Sequence, residues 1–239
     1  MLLVNFDAHS DATSLPNLGG PLSERIQSYS WLSPLMPEPF SQYLWVVPGL
    51  MDDEYKAWAE SELQREMSRG PVVERFRKHG GSIASHTDLA DFPGLADLNI
   101  SDPVVVSIDL DFFTRRSRYR EDLIAVLRWT AELESLQAVT VAVSPVYLPE
   151  DPNWMYQMLE TLFEEALRNR NWSIRFEPFI DRGRETSRWA LEMEAAEREV
   201  PRLNISEAPP SLIRLWALNK KRISVEFKTD SWKALLDRY

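Results

Sequence analysis

The chain has 239 residues, 44% of them hydrophobic, and a formal net charge of −10. That size and apolar content suit a single α/β domain over residues 1–239, and the acidic balance argues against nucleic acid or an anionic membrane surface as partner. There is no cysteine, which excludes disulfides, thiolate metal sites and a cysteine nucleophile.

The first residues, MLLVNFDAHSD, lack a basic stretch and become charged too early for a signal peptide. No window approaches eighteen consecutive apolar residues, so no membrane span is expected and a cytoplasmic location is the default. Leu2–Phe6 reads as a buried strand that runs straight into Asp7-Ala8-His9-Ser10-Asp11. Two carboxylates and an imidazole at alternate positions could hold a metal, although Asp and Ser are also ordinary turn residues after a strand. The segment 13–39, rich in Pro, Ser and Gly, reads as loop. Within it, Trp31 either packs in the core or lines a peptide groove. A strand is predicted at Tyr43–Val47 and a helix from Asp52 to about Ser68.

The stretch from Ser68 to Asp102 reads as loop and carries His79 and His86, the other two of the three histidines. Val104–Ile108 is a further apolar strand, and it runs into Asp109-Leu110-Asp111. Residues i and i+2 of a strand share a face, so Asp109 and Asp111 can point the same way. In REDLIAVLRWTAEL, Leu123, Ile124, Leu127 and Ala131 mark one helical face. A strand follows at Val139–Val143. Asp151 is a predicted N-cap with Pro152 at the first helical position, and Met155, Leu159, Leu162, Phe163 and Ala166 form the apolar face of that helix. A strand at Ile174–Phe176, a helix over Glu185–Glu199 and a strand at Ile223–Phe227 complete the pattern. Alternating strands and helices predict a three-layer α/β/α fold with a mainly parallel sheet, whose ligands bind beyond the carboxyl ends of the strands.

Both acidic motifs stand at such strand ends. Four carboxylates and one imidazole cannot share a small space ionised without a compensating cation. Carboxylate-rich ligation with an imidazole suits a divalent metal such as manganese, and five ligands exceed the needs of one ion. That count favours a pair of divalent ions such as Mn²⁺, which together can generate a hydroxide from bound water.

DAHSD followed by SIDLDFF resembles the arginase–deacetylase superfamily, most of all its binuclear ureohydrolase branch. The resemblance implies an arginase-like fold in which Asp7, His9, Asp11, Asp109 and Asp111 are metal ligands, with Asp7 and Asp109 bridging the two ions. DLDFF, YSWLSPLMPEPF and SPVYLP are similar to a diverged subgroup that includes peptide arginases. The implied reaction is conversion of arginine residues in a ribosomally made precursor peptide to ornithine, with release of urea. In such a reaction Asp111, or another acidic group near the nucleophile, could pass a proton to the departing amine. The resemblance also extends to a homo-oligomer, for which the sequence shows no interface signature.

Three departures from the family pattern bear on the site. Ureohydrolases carry another histidine ligand well upstream of the first motif. With Asp7 so close to Met1 that residue is expected to be missing; His86, or next His79, could replace it, unless both are plain loop histidines and water or a substrate atom fills the place. The histidine that follows the first motif in free-arginine enzymes corresponds to Gly19, and the glutamate that meets the guanidinium corresponds to Ala142. Glu150 is the nearby substitute, unless it only begins the following helix. Such changes suit a substrate other than free arginine. They leave open another guanidino or acetyl-amine substrate, or a non-catalytic binding protein that retains the fold.

Overall fold

In the computed structural model, which describes residues 1–9, 11, 31–32, 35, 38–48, 81–86, 102–114, 117–143, 147–149, 151–169, 171–176, 209–219 and 223–225, Leu2–Phe6 forms strand β1 with all five side chains buried. Burial on both faces explains the almost continuous apolar run LLVNF. Strands β2 (Gln42–Pro48), β3 (Gly81–His86), β4 (Val104–Asp109) and β5 (Leu136–Ala142) join it in a sheet of order β3-β2-β1-β4-β5. Every pairing in it is parallel. The chain is thus α/β with a parallel sheet.

Strand β1 lies between β2 and β4, with Asn5 opposite Trp45 on one side and Ser107 on the other. From β1 the chain steps outward to β2 and β3, then returns to place β4 on the far side of β1. The strand order therefore reverses at β1 and β4. In open parallel sheets such a reversal leaves a crevice at the carboxyl ends of the two strands, where ligands bind.

The two faces of β1 differ. Leu3 packs with Leu32, Phe40, Tyr43 and Trp45 in one core cluster, with Trp31 partly buried against it. Phe6, on the opposite face by strand alternation, meets Phe112 edge to face with ring centroids 5.6 Å apart. Phe113 packs on Phe112 in turn, at 5.0 Å. Each such fully buried side chain contributes about 1.5–3 kcal/mol relative to exposure.

The chain divides into two compact units. Met1–Tyr119 and Glu132–Ser144 form the first, which holds the parallel sheet; Arg120–Ala131 and Pro145–Tyr239 form the second. The second contains helix α1 from Arg120 onward (Tyr119–Ala131), α2 (Pro152–Arg168), α3 (Pro210–Leu218) and a two-stranded parallel sheet of β6 (Ile174–Phe176) and β7 (Ile223–Val225). The expected start of α2 is observed: the Asp151 carboxylate accepts a hydrogen bond from the Asn153 N–H at 3.0 Å, and Pro152 opens the helix. Met155, Leu159, Phe163 and Ala166 are buried as the periodicity predicts. On the same helix the buried Glu165 carboxylate accepts from Arg128 of α1 at 3.0 and 3.2 Å, and also from Arg168.

Three expectations need correction. The stretch from Ser68 to Asp102 is not all loop, since Gly81–His86 pairs with β2 as a strand. The buried face of α1 is Leu123, Val126, Leu127 and Thr130, while Ala131, the last residue of the helix, is exposed. Helix α3 was not anticipated. The helices expected near 52–68 and 185–199 lie outside the described residues. Among the described residues, no helix is long and apolar enough to cross a membrane.

Candidate metal centre

The carboxyl end of β1 is held by backbone and by an indole. The Asp7 N–H donates to the Val46 carbonyl at 3.2 Å, which carries the β1–β2 pairing one residue past the strand. The Trp45 indole N–H donates to the Asp7 carbonyl at 2.9 Å. Asp7 is 2% exposed. The chain then turns back on itself, and the His9 N–H donates to Asp7 Oδ1 at 2.7 Å. Two residues further, Asp11 has φ 51°. This left-handed conformation is uncommon outside glycine, although Asp is one of the residues that tolerate it. It is pinned there by the Leu32 N–H on its carbonyl at 3.3 Å and by the Trp31 indole N–H on its carboxylate.

The second motif closes β4. Asp109 caps a 3-10 turn over Leu110–Phe113, and its Oδ1 accepts from the Asp111 N–H at 3.2 Å. That turn buries Asp111, which is 4% exposed. Its Oδ1 accepts from the Ala8 N–H at 3.3 Å, and its Oδ2 lies 3.0 Å from His9 Nδ1. His9 Nδ1 also lies 3.7 Å from Asp7 Oδ1. Asp7, His9 and Asp111 each offer a ligand atom, and these atoms all lie within 4.8 Å of one another. This group could hold a metal ion.

Electrostatics support a cation there. Burial pushes the Asp7 carboxyl up; the His9 hydrogen bond opposes this, the charges of Asp111 and Asp109 reinforce it, and the result is about 7. Burial and then the Asp7 charge push Asp11 up to about 9, against the Trp31 hydrogen bond. For His9, burial favours the neutral ring, but hydrogen bonds to Asp111 and Asp7 outweigh it and raise the imidazole to about 10. Without a metal the imidazolium acts as the local counter-charge. A divalent ion bound there would satisfy the same carboxylates and release that proton.

The five residues expected as ligands therefore divide. Asp7, His9 and Asp111 converge. Asp11, on the first motif, is near enough to Asp7 for the two charges to act on each other, but it is not one of the three that converge. Asp109 acts electrostatically on Asp7, and one of its oxygens is engaged by the turn it caps. The backbone of His86 ends β3 opposite Pro48, with β2 between it and β1. The side chain of His86, together with His79 and Glu150, lies outside the described residues.

Trp31 packs against the core cluster, as one of the two readings expected, and its indole also donates to the Asp11 carboxylate. Asn5 has no place among the sequence expectations, yet its Nδ2 reaches Asp7 Oδ2. The one sign of it in the sequence is an amide inside an otherwise apolar strand. No family model, curated protein or solved structure matches the chain.

Proposed function

We propose that the protein is a manganese-dependent C–N hydrolase with a three-layer, arginase-like fold, acting on arginine side chains of a peptide and leaving ornithine and urea. The observation that carries this reading is the convergence of Asp7, His9 and Asp111 at the carboxyl ends of two adjacent parallel strands. The order of residues in DAHSD and DLD supports the arginase-type assignment, and the acidic chain suits a cationic substrate.

Asp7 is close to His9 and Asp111, and Asp11 is near enough to feel its charge. Asp7, His9 and Asp111 would hold one ion, and Asp11 would contribute to a second. Such a pair supplies a hydroxide near neutral pH by acidifying bound water. The chain's own residues then have separate tasks. Backbone N–H groups of Ala8 and His9 hold the carboxylates of Asp111 and Asp7 in place before any ligand arrives. His9, about one-third exposed, stands at the mouth of the group, while both carboxylates stay buried. Asp111, whose Oδ2 lies within hydrogen-bond reach of the imidazole, would pass a proton to the leaving amine.

The test is urea release from an arginine-containing peptide in the presence of Mn²⁺. Replacement of Asp7, His9 and Asp109 by Ala is expected to abolish it, and an unchanged rate would refute the reading. Running free arginine, other guanidino compounds and acetylated amines in parallel separates the arginase-type reaction from amide hydrolysis.

A further inference from the structure

Asn5 is 1% exposed and sits in the central strand, flanked in sequence by Val4 and Phe6, which are fully buried. A leucine or valine would fill such a place without any polar group to satisfy. The amide Nδ2 donates both to Asp7 Oδ2 and to the Tyr43 hydroxyl, each at 3.3 Å. Its Oδ1 has no hydrogen-bond partner among the described residues. A buried polar group that leaves its acceptor unmatched is a standing cost to the fold, so its presence calls for a reason.

The surroundings supply one. Asp7 Oδ1 is already engaged by the His9 N–H. The amide of Asn5 takes the other oxygen, so the two contacts together fix the plane of the carboxylate. Tyr43, 2% exposed on the neighbouring strand, fixes the amide in turn. Its ring is part of the cluster with Leu3 and Trp45, so the hydroxyl is presented from a rigid base. Because Asn5 is opposite Trp45 and Leu3 opposite Tyr43, the same pair of strands presents the amide, the phenol and the indole that holds the Asp7 carbonyl.

We propose that Asn5, anchored by Tyr43, is a positioning residue that orients the Asp7 carboxylate for metal binding. The inference rests on the metal-centre reading above and deepens it. Neighbours of this kind set the orientation of metal-binding carboxylates, and losing one commonly lowers metal affinity by about 10–100-fold.

The experiment compares the full-length wild-type chain with Asn5→Leu and Tyr43→Phe, using Mn²⁺ alone as the probe. Calorimetric titration reads affinity, and thermal unfolding without metal reads stability. Asn5→Leu keeps the branched outline and removes the unmatched acceptor, so its metal-free Tm is expected to hold or rise, while Mn²⁺ affinity falls about tenfold or more. Tyr43→Phe removes one hydroxyl and is expected to cost about threefold or more. It also keeps the inference testable if Asn5→Leu fails to fold. A merely structural role would lower Tm and leave affinity unmoved. Mn²⁺ affinities within twofold of wild type in the folded variants would overturn the proposal. If the wild-type chain itself binds no Mn²⁺, the metal-centre reading falls first, and this inference with it.

Discussion

His9 Nδ1 lies 3.0 Å from Asp111 Oδ2, although 102 residues separate them in the chain. Register explains the meeting. Phe6 pairs with Ile108, so β1 and β4 end side by side, and both motifs begin within a residue of that end. The 3-10 turn then swings Asp111 under the loop that carries Ala8 and His9.

Removing either partner is therefore expected to disable the centre. His9→Ala and Asp111→Asn should each weaken Mn²⁺ binding by about 100-fold or more, since a lost ligand costs at least as much as a lost neighbour of one. Calorimetric titration with Mn²⁺ checks this. Binding within a few-fold of wild type in both variants would remove these residues from the site.

The metal-free protein should lose stability as pH rises. Asp7 goes from its usual 3.8 to about 7, Asp11 from 3.8 to about 9, and His9 from 6.5 to about 10. In each case the folded form holds a proton that the unfolded chain gives up. The two carboxyl contributions are complete below about pH 4 and fade as pH climbs through the raised values; that of His9 is complete below 6.5 and fades toward 10. Between about pH 5 and pH 9 the Tm of metal-free wild type should fall more than that of Asp7→Asn/Asp11→Asn, and the Tm gain from Mn²⁺ should grow with pH. Equal slopes for the two proteins would contradict the assignment.

Trp31 would give a separate handle on the proposed second ion. Its indole holds the Asp11 carboxylate, while Asp111 and His9 have other supports. Trp31→Phe is expected to weaken one of two Mn²⁺ binding events by about tenfold or more and leave the other nearly unchanged. A uniform change in both would mean that Asp11 does not serve a distinct ion.

Phe112 couples the core to the centre. It is fully buried, packs on Phe6 and Phe113, and follows Asp111 in the turn. Phe112→Ala should cost about 3–5 kcal/mol in urea denaturation. Mn²⁺ affinity should drop as well, because the turn that buries Asp111 loses its anchor.

Much of this arrangement was legible in the sequence. LLVNF and VVVSI are apolar on both faces, as central parallel strands must be, and each leads into its acidic motif. The cap at Asp151 and the periodicity behind it placed α2. What was hidden has physical causes. GSIASH, the sequence of β3, is mostly small or turn-forming, and its strand character comes from pairing with β2 rather than from its own residues. Helix α3, PSLIRLWAL, has only nine residues, apolar around much of its circumference, so no clear helical stripe shows. The roles of Asn5, Tyr43 and Trp31 depend on contacts across 38 and 20 residues or between neighbouring side chains at one sheet end. Composition and spacing do not show such contacts. The same holds for Asp109, whose side chain turns back to cap its own turn.

The most direct test of the metal centre is the manganese content of the purified full-length chain after loading with Mn²⁺ and removal of the excess, measured by elemental analysis beside Asp7→Ala. Two ions per wild-type chain are expected, and fewer in the variant, because Asp7 is one of the three converging ligands. No manganese in the wild type, or equal amounts in the two proteins, would contradict a metal centre built on Asp7, His9 and Asp111.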